Sequence, residues 1–493
     1  MPTADHHLTS QSFFRPRTLP SVVVSLLLVL PWVQPWAPGP DSDVVPMLVS
    51  WAVLGLLVAL GQLPTGLELA RAWAWAAVLS SLIGLVQYFG EAVHLGGWAH
   101  ILPSPGLAFG NLRQRNHLAT HLAIGIVAVL WWHRQGLRTG HALWMLALMA
   151  CATAATNSRT GLLQMLVLPA LLGWWAWFQS RSHDRTTPLQ VPSWRLALVT
   201  LGLYLLANGA LPELLFWHSG IQVDNALARL AESSGCSSRR VLWANVLELI
   251  AQHPWIGWGW DDLKFVHYMT PYAGLRFCDI LGNAHNLPLH LAVTLGVPVA
   301  TIAVLMLLLA LWRAHPWRLQ RSDDALAWGA LSAIGIHSLL EYPLWYGPFQ
   351  VAAICATVLL WPTTASMAFR RFIRVLALVG LCMVPLITWD YLRVRQVYLP
   401  PPMRSSLWKA DPWGAARQTW FFNSLVRFAM VTVFPVTPDN AKAMLEASLA
   451  TLHEAPEPRI IDKVIESARL LGQNDLADWH QAQKQKVYGQ PAP

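Results

Sequence analysis

Apolar residues gather in runs of about 18 to 22, the length at which a helix crosses a hydrocarbon layer of ~30 Å. The runs predict spans at 20–37, 44–62, 68–90, 117–133, 141–156, 160–178, 194–216, 286–312, 325–341, 347–362 and 373–391. The first run, Pro20 to Trp36, follows a long polar segment and reads as a retained helix rather than a cleaved signal. Short polar stretches separate the runs, apart from a long loop at about 217–285 and a tail from about 392. In the tail, Pro400, Pro401 and Pro402 read as a stiff linker. Segments 440–453, 458–472 and 474–487 then carry amphipathic helical spacing, with Gly472 as a stop signal. The pattern predicts an all-α polytopic membrane protein. Residues 1–391 form a transmembrane domain of about eleven helices, and 392–493 form a small C-terminal helical domain.

Composition agrees. Of 493 residues, 55% are hydrophobic and only 12% charged, about half the charge of a soluble chain. The net charge of +8 does not point to nucleic acid, because the basic residues form no stripe and sit between the apolar runs. They set orientation instead. With the N-terminus in the cytoplasm, Arg15, Arg17, Arg71, Arg134, Arg138, Arg181, Arg185, Arg195, Arg313, Arg318, Arg321, Arg370, Arg371 and Arg374 all face inward. The long loop and the tail then lie outside, which in a bacterial inner membrane is the periplasm. Many of the 28 Trp residues fall near run ends, as do Trp131, Trp132, Trp174, Trp175 and Trp177, and read as an interfacial belt. Cys151, Cys355 and Cys382 fall within spans and read as small core residues. Cys236 and Cys278 are the two in the outer loop, and can pair if it meets an oxidising compartment.

Polar residues that topology does not explain collect on the outer side. They lie in Asn111-Leu112-Arg113-Gln114-Arg115-Asn116-His117, Asn157-Ser158-Arg159-Thr160-Gly161, Ser237-Ser238-Arg239-Arg240 and Asn283-Ala284-His285-Asn286-Leu287-Pro288. Each precedes a helical stretch, so Ser, Asn and Pro suit N-cap and first-turn positions. Helix starts bring unpaired N–H groups and the positive end of a dipole. Several on one face, with Arg and His alongside, make an anion site. His337 and Glu341 are four apart at the end of a predicted span, where ionisable groups are costly and point to function. Metal signals are weak. His285 and His290 are five apart, about 140° around a helix, and do not chelate together. Asp41-Ser42-Asp43 is a short acidic motif that reads first as a loop with an N-cap.

These segments resemble the bacterial O-oligosaccharyltransferases of the pilin-glycosylation ligase type, within the O-antigen ligase and polymerase superfamily. The resemblance rests on Arg-Gln-Arg-Asn-His at 113–117, Asn-Ser-Arg-Thr-Gly at 157–161 and Arg240 leading into 241–260. His-Asn-Leu-Pro-Leu-His at 285–290 and Glu-Tyr-Pro-Leu-Trp-Tyr at 341–346 complete it, in family order. Arg113 departs from the pattern, since members often carry Gly there. The resemblance implies transfer of a glycan from a polyprenyl-pyrophosphate carrier to a hydroxyl of a pilin-like or other periplasmic acceptor protein, next to membrane lipid, without metal or cofactor. Charge logic agrees: the leaving pyrophosphate needs cations, and Arg159 and Arg240 offer planar forks. A hydroxyl needs a general base, and His285 suits that task. Gln114 and Tyr346 orient substrates, with Arg113, Asn116, Tyr342, Glu341, His337 and Asn286 as further substrate contacts.

Two rivals stay open. One keeps the chemistry and changes the acceptor to lipid A-core or a growing glycan. The other is a transporter, although transporters place polar breaks near the midplane rather than at one face. The orientation is testable directly. A phosphatase reporter fused after Leu399 should be active and one fused after His183 inactive, and the reverse pattern overturns both orientation and site.

Overall fold

A computed structural model describes residues 19–181, 191–224, 235–361 and 366–489. Arg15, Arg17, His183 and Arg185, used in the topology argument, lie outside these residues. Among the described residues every regular element is helical. In chain order they are α1 (Ser21–Val33), α2 (Val44–Ala59), α3 (Gly66–Tyr88), α4 (Arg115–Arg134), α5 (Thr139–Ala155), α6 (Arg159–Arg181) and α7 (Trp194–Ser219). The long loop after α7 carries α8 (Arg239–Gln252) and α9 (Leu263–Met269). Then come α10 (Leu287–Leu295), α11 (Val297–Ala314), α12 (Ser322–Ser338), α13 (Gly347–Leu360) and α14 (Met367–Arg395).

Five of these, α3, α6, α7, α11 and α14, are long and apolar enough to cross a bilayer. Helices α1, α2, α5 and α13 are apolar but shorter, at 13, 16, 17 and 14 residues. Helix α4 has the length but carries Arg115, His117, Thr120 and His121. Its packing on α3 depends on small residues, as is usual where lipid supplies no hydrophobic drive between helices. A Cβ on Gly125 would stand 2.2 Å from the Cβ of Ala77.

The eighth predicted span, 286–312, is not one helix. Gly296 breaks it into α10 and α11 with φ of 90°. The cause is a close approach: a Cβ there would lie 2.2 Å from the Trp255 carbonyl oxygen. Backbone bonds from Trp258 and Gly259 to Val293 and Thr294, and from Val297 to Pro254, tie segment 254–259 to this break. Helix α10 therefore belongs with the outer loop, while α11 is apolar on all sides and buries only Ala300. The Trp belt also needs correction. Trp131 and Trp175 are buried and donate their indole N–H to the carbonyls of Ser322 and Pro316, whereas Trp174 and Trp177 stay exposed. Of the span cysteines, Cys355 is buried but Cys382 is exposed rather than a core residue.

Beyond Pro400 the chain forms α15 (Pro412–Arg417), α16 (Asn423–Val433), α17 (Ala441–Leu452), α18 (Pro458–Leu470) and α19 (Asn474–Tyr488). The last three match the amphipathic segments, and Gly472 ends α18 at φ 72°. The Pro-rich entry is a short 3-10 turn, and the chain around it is pinned to α14. Buried Asp390 accepts from Thr419 (2.8 Å) and from the backbone of Trp420 and Phe421 (2.9 Å each), and pairs with Arg393. The core of α16–α19 includes Tyr268 from α9. The Tyr268 hydroxyl bonds His480 Nδ1 at 3.0 Å, Lys264 donates to the Glu454 carbonyl (3.0 Å), and Asp262 pairs with His453 (2.6 Å). The tail thus rests on the outer loop.

Cys236 and Cys278 are bonded across 42 residues, a closure worth roughly 3 to 4 kcal/mol in chain-entropy terms. Both should resist alkylation in the folded protein until reductant is added, and free labelling without reductant removes the bond.

Candidate functional site

Each outer motif becomes a helix start capped by its own side chain. Gln114 Oε1 accepts from His117 N (2.7 Å) at α4, and Ser158 Oγ from Gly161 N (3.0 Å) at α6. Ser238 Oγ accepts from Val241 N (3.4 Å) at α8, and Asn286 Oδ1 from Leu289 N (3.1 Å) at α10. Just before three of these caps stand residues in the left-handed region: Arg113 (φ 58°), Asn157 (φ 49°) and His285 (φ 51°). Such conformations cost of order 1 kcal/mol or more for a residue with a Cβ and persist where surroundings impose them.

The surroundings are one hydrogen-bonded network on Glu341, which lies three residues past the end of α12. The Ser158 hydroxyl donates to Asn116 Oδ1 (2.7 Å), and Asn116 Nδ2 donates to Glu341 Oε1 (3.1 Å). Arg239 donates to Glu341 Oε1 and to the Leu340 carbonyl. His285 Nδ1 meets Glu341 Oε2 at 2.6 Å, and Asn286 Nδ2 donates to the Leu339 carbonyl (3.0 Å). Residues at four helix starts are thereby joined around one carboxylate of 6% exposure. Burial opposes its charge, but the hydrogen bond and charge of His285, followed by Arg239, outweigh burial and pull the carboxyl down to about 2. It is an anion at neutral pH. His285 in turn has its backbone N–H held by Asn283 Oδ1 at 2.9 Å.

The expected residues take different parts. His285, Glu341, Asn116 and Asn286 meet in this network. Asn116 is buried within it, and Gln114 and Asn286 serve as caps. Of the neighbouring arginines, Arg239 turns to Glu341 while Arg240 is exposed, as is Arg159 at the start of α6. Arg239, directly after the Ser238 cap, thus joins the network beside the candidate Arg240. Arg113 turns toward the Pro35 carbonyl (3.4 Å) in the first outer loop.

His337 and Glu341 do not share a helix face. Helix α12 ends at Ser338, Glu341 N bonds the His337 carbonyl (2.7 Å), and the His337 ring is buried against His117 and Phe349. Its side chain is fully buried. Tyr342 stands edge-on to His285 with ring centroids 5.3 Å apart, and Tyr346 packs on His117 at 3.9 Å. Burial first, with Glu341 and Asp43 adding, pushes both phenols up, so they remain protonated donors. Asp41 Oδ1 accepts from Asp43 N (3.0 Å), the local turn expected of that motif. Among the described residues no group of three or more His, Cys, Asp or Glu could hold a metal ion.

The fold and site together define a polytopic membrane protein with a cationic, histidine-bearing site at one end of its helices. Three family models match it: O-antigen ligase over residues 144–304, protein glycosylation ligase over 108–133, and virulence factor membrane-bound polymerase, C-terminal, over 325–493. A general O-oligosaccharyltransferase of Acinetobacter baylyi (strain ATCC 33305 / BD413 / ADP1) is 25% identical over 322 residues, 64% of this chain. The match spans 55% of that relative's length. The chain is thus similar to O-antigen ligases and to protein glycosylation ligases.

Replacing Asn116 with Ala removes a donor to Glu341 and the acceptor of Ser158. Stability should fall by about 1–3 kcal/mol, read as a lower Tm of the purified protein in detergent. An unchanged Tm means these bonds do not hold the helix starts together.

Proposed function

We propose that this protein transfers a glycan from a polyprenyl-pyrophosphate carrier to Ser or Thr hydroxyls of pilin-like or other periplasmic proteins. In this reading it crosses the bacterial inner membrane about eleven times, with the site on the periplasmic side against membrane lipid. The observation that carries it is the His285–Glu341 bond at 2.6 Å amid arginines at helix starts. With Nδ1–H given to the carboxylate, Nε2 is the nitrogen left for an acceptor. It takes the hydroxyl proton as the acceptor oxygen bonds to the anomeric carbon. The bond from that carbon to the pyrophosphate oxygen breaks, and its electron pair leaves with the lipid. Charge growing on that pyrophosphate meets Arg159 and Arg240 and the open N–H groups of helix starts. Arg239, bonded to Glu341, holds the pair in place. Tyr342 and Tyr346 offer phenolic donors to substrate oxygens. The match to a protein glycosylation ligase and the likeness to a general O-oligosaccharyltransferase support a protein acceptor. The O-antigen ligase match over 144–304 keeps a lipid A-core acceptor as the second reading.

Glycoprotein mass spectrometry of cells with and without the gene, and with His285→Ala restored in its place, tests this. Protein glycans should vanish in the deletion. In the His285→Ala strain they should fall by about 10²-fold or more at near-normal protein level, with the lipopolysaccharide ladder unchanged. A lost ladder with intact protein glycans moves the acceptor to lipid A-core, and near-normal glycosylation by His285→Ala removes that residue as base.

A further inference from the structure

Next to His285, aromatic rings from two segments touch one another in succession. The Tyr342 ring lies 5.3 Å from His285, the Trp345 ring 6.3 Å from Tyr342, and the Trp260 ring stacks on Trp345 at 5.7 Å and 6°. His290 is buried behind both indoles and edge-on to each, at 5.6 and 5.3 Å. That packing fixes their planes. The chain leading to Trp260 is fastened to α10 through Trp258 N and Gly259 N. Yet Trp260 remains 46% exposed. Tyr342, which also stacks on Tyr346, and Trp345 are half-buried, so the rings lead from the half-buried site to one open indole at the surface.

The same segment shows what kind of surface. At its tip Trp255 and Ile256 are 77% and 78% exposed, flanked by Pro254 and Gly257, with no charge beside them. That pair suits the headgroup–acyl boundary. Trp260 is followed instead by exposed Asp261 and by Asp262, which bonds His453. A carboxylate next to an open indole is poorly suited to lipid, since sinking into the apolar boundary would strip its water. It is well suited to a sugar. The faces of a pyranose present C–H groups to the negative face of an aromatic ring, and its rim hydroxyls donate to carboxylates. We propose that Tyr342, Trp345 and Trp260 form a shelf that binds the donor glycan beyond its first sugar. This rests on the transfer reading above. The first sugar must sit at His285, where its anomeric carbon meets the acceptor, and the shelf leads away from that point by successive rings.

The test uses the full-length protein in lipid nanodiscs, one acceptor, and two polyprenyl-pyrophosphate donors, carrying a single sugar or an oligosaccharide. The ratio of kcat/KM for the longer donor over the shorter should fall about five- to tenfold in Trp260→Ala, the scale of one lost ring contact. Trp260→Phe, which keeps an aromatic face, should recover most of it. An unchanged ratio, whether from equal loss with both donors or no loss, overturns the shelf. A rise confined to the KM of the acceptor shows that the acceptor, not the glycan, lies on these rings. Wild-type protein that transfers from neither donor overturns the transfer reading itself, a different failure from an unchanged ratio.

Discussion

The Glu341 carboxylate accepts from residues at the starts of α4, α8 and α10, and through Asn116 it reaches Ser158 at the start of α6. Helix starts are positive and carry open N–H groups, so four of them on one face, with Arg113, Arg115, Arg159, Arg239 and Arg240 nearby, repel one another. One buried anion offsets that repulsion at the centre. A buried carboxylate is tolerated only with close partners, and here the partners are the groups it gathers. The left-handed backbone at Arg113, Asn157 and His285 lies at the edge of this network, where loops must turn sharply into the helices the network holds.

The loop that delivers Arg239 and His285 is long, and a free loop of that length would not keep a guanidinium and an imidazole in place. Three braces limit it. The Cys236–Cys278 bond closes it three residues before Arg239 and seven before His285. Backbone bonds between 254–259 and the break at Gly296 hold α10 against it. Tyr268, buried among α16–α19, fastens α9 to the tail. The tail is fixed in turn by Asp390 at the end of α14. The next residue, Tyr391, bonds the carbonyls of Pro38 (2.6 Å) and Asp41 (2.7 Å) in the first outer loop. The C-terminal helices are thus continuous with the walls of the site.

Hydrophobic run lengths were enough to read an all-helical membrane chain and the three amphipathic tail helices, and the polar motifs to read helix starts that meet on one face. Those features are local or one-dimensional: a helix needs its own backbone bonds, and a cap is set within four residues. Ser158, Ser238 and Asn286 could be recognised as caps for that reason, and His285 and Glu341 stood out as ionisable groups in costly places. What the sequence left open is which side chains meet. Arg239 and Arg240 are neighbours of one charge, and only the rotation of α8 against segment 339–341 turns the first inward. His337 and Glu341 have helical spacing, yet the helix ends at Ser338 and sends one into the bundle and the other to the site. The break at Gly296 depends on a carbonyl forty-one residues earlier in the chain. Spacing reports only on neighbours along the chain, whereas Glu341 joins residues 56 to 225 positions away, and contacts of that range exist only once the helices have packed.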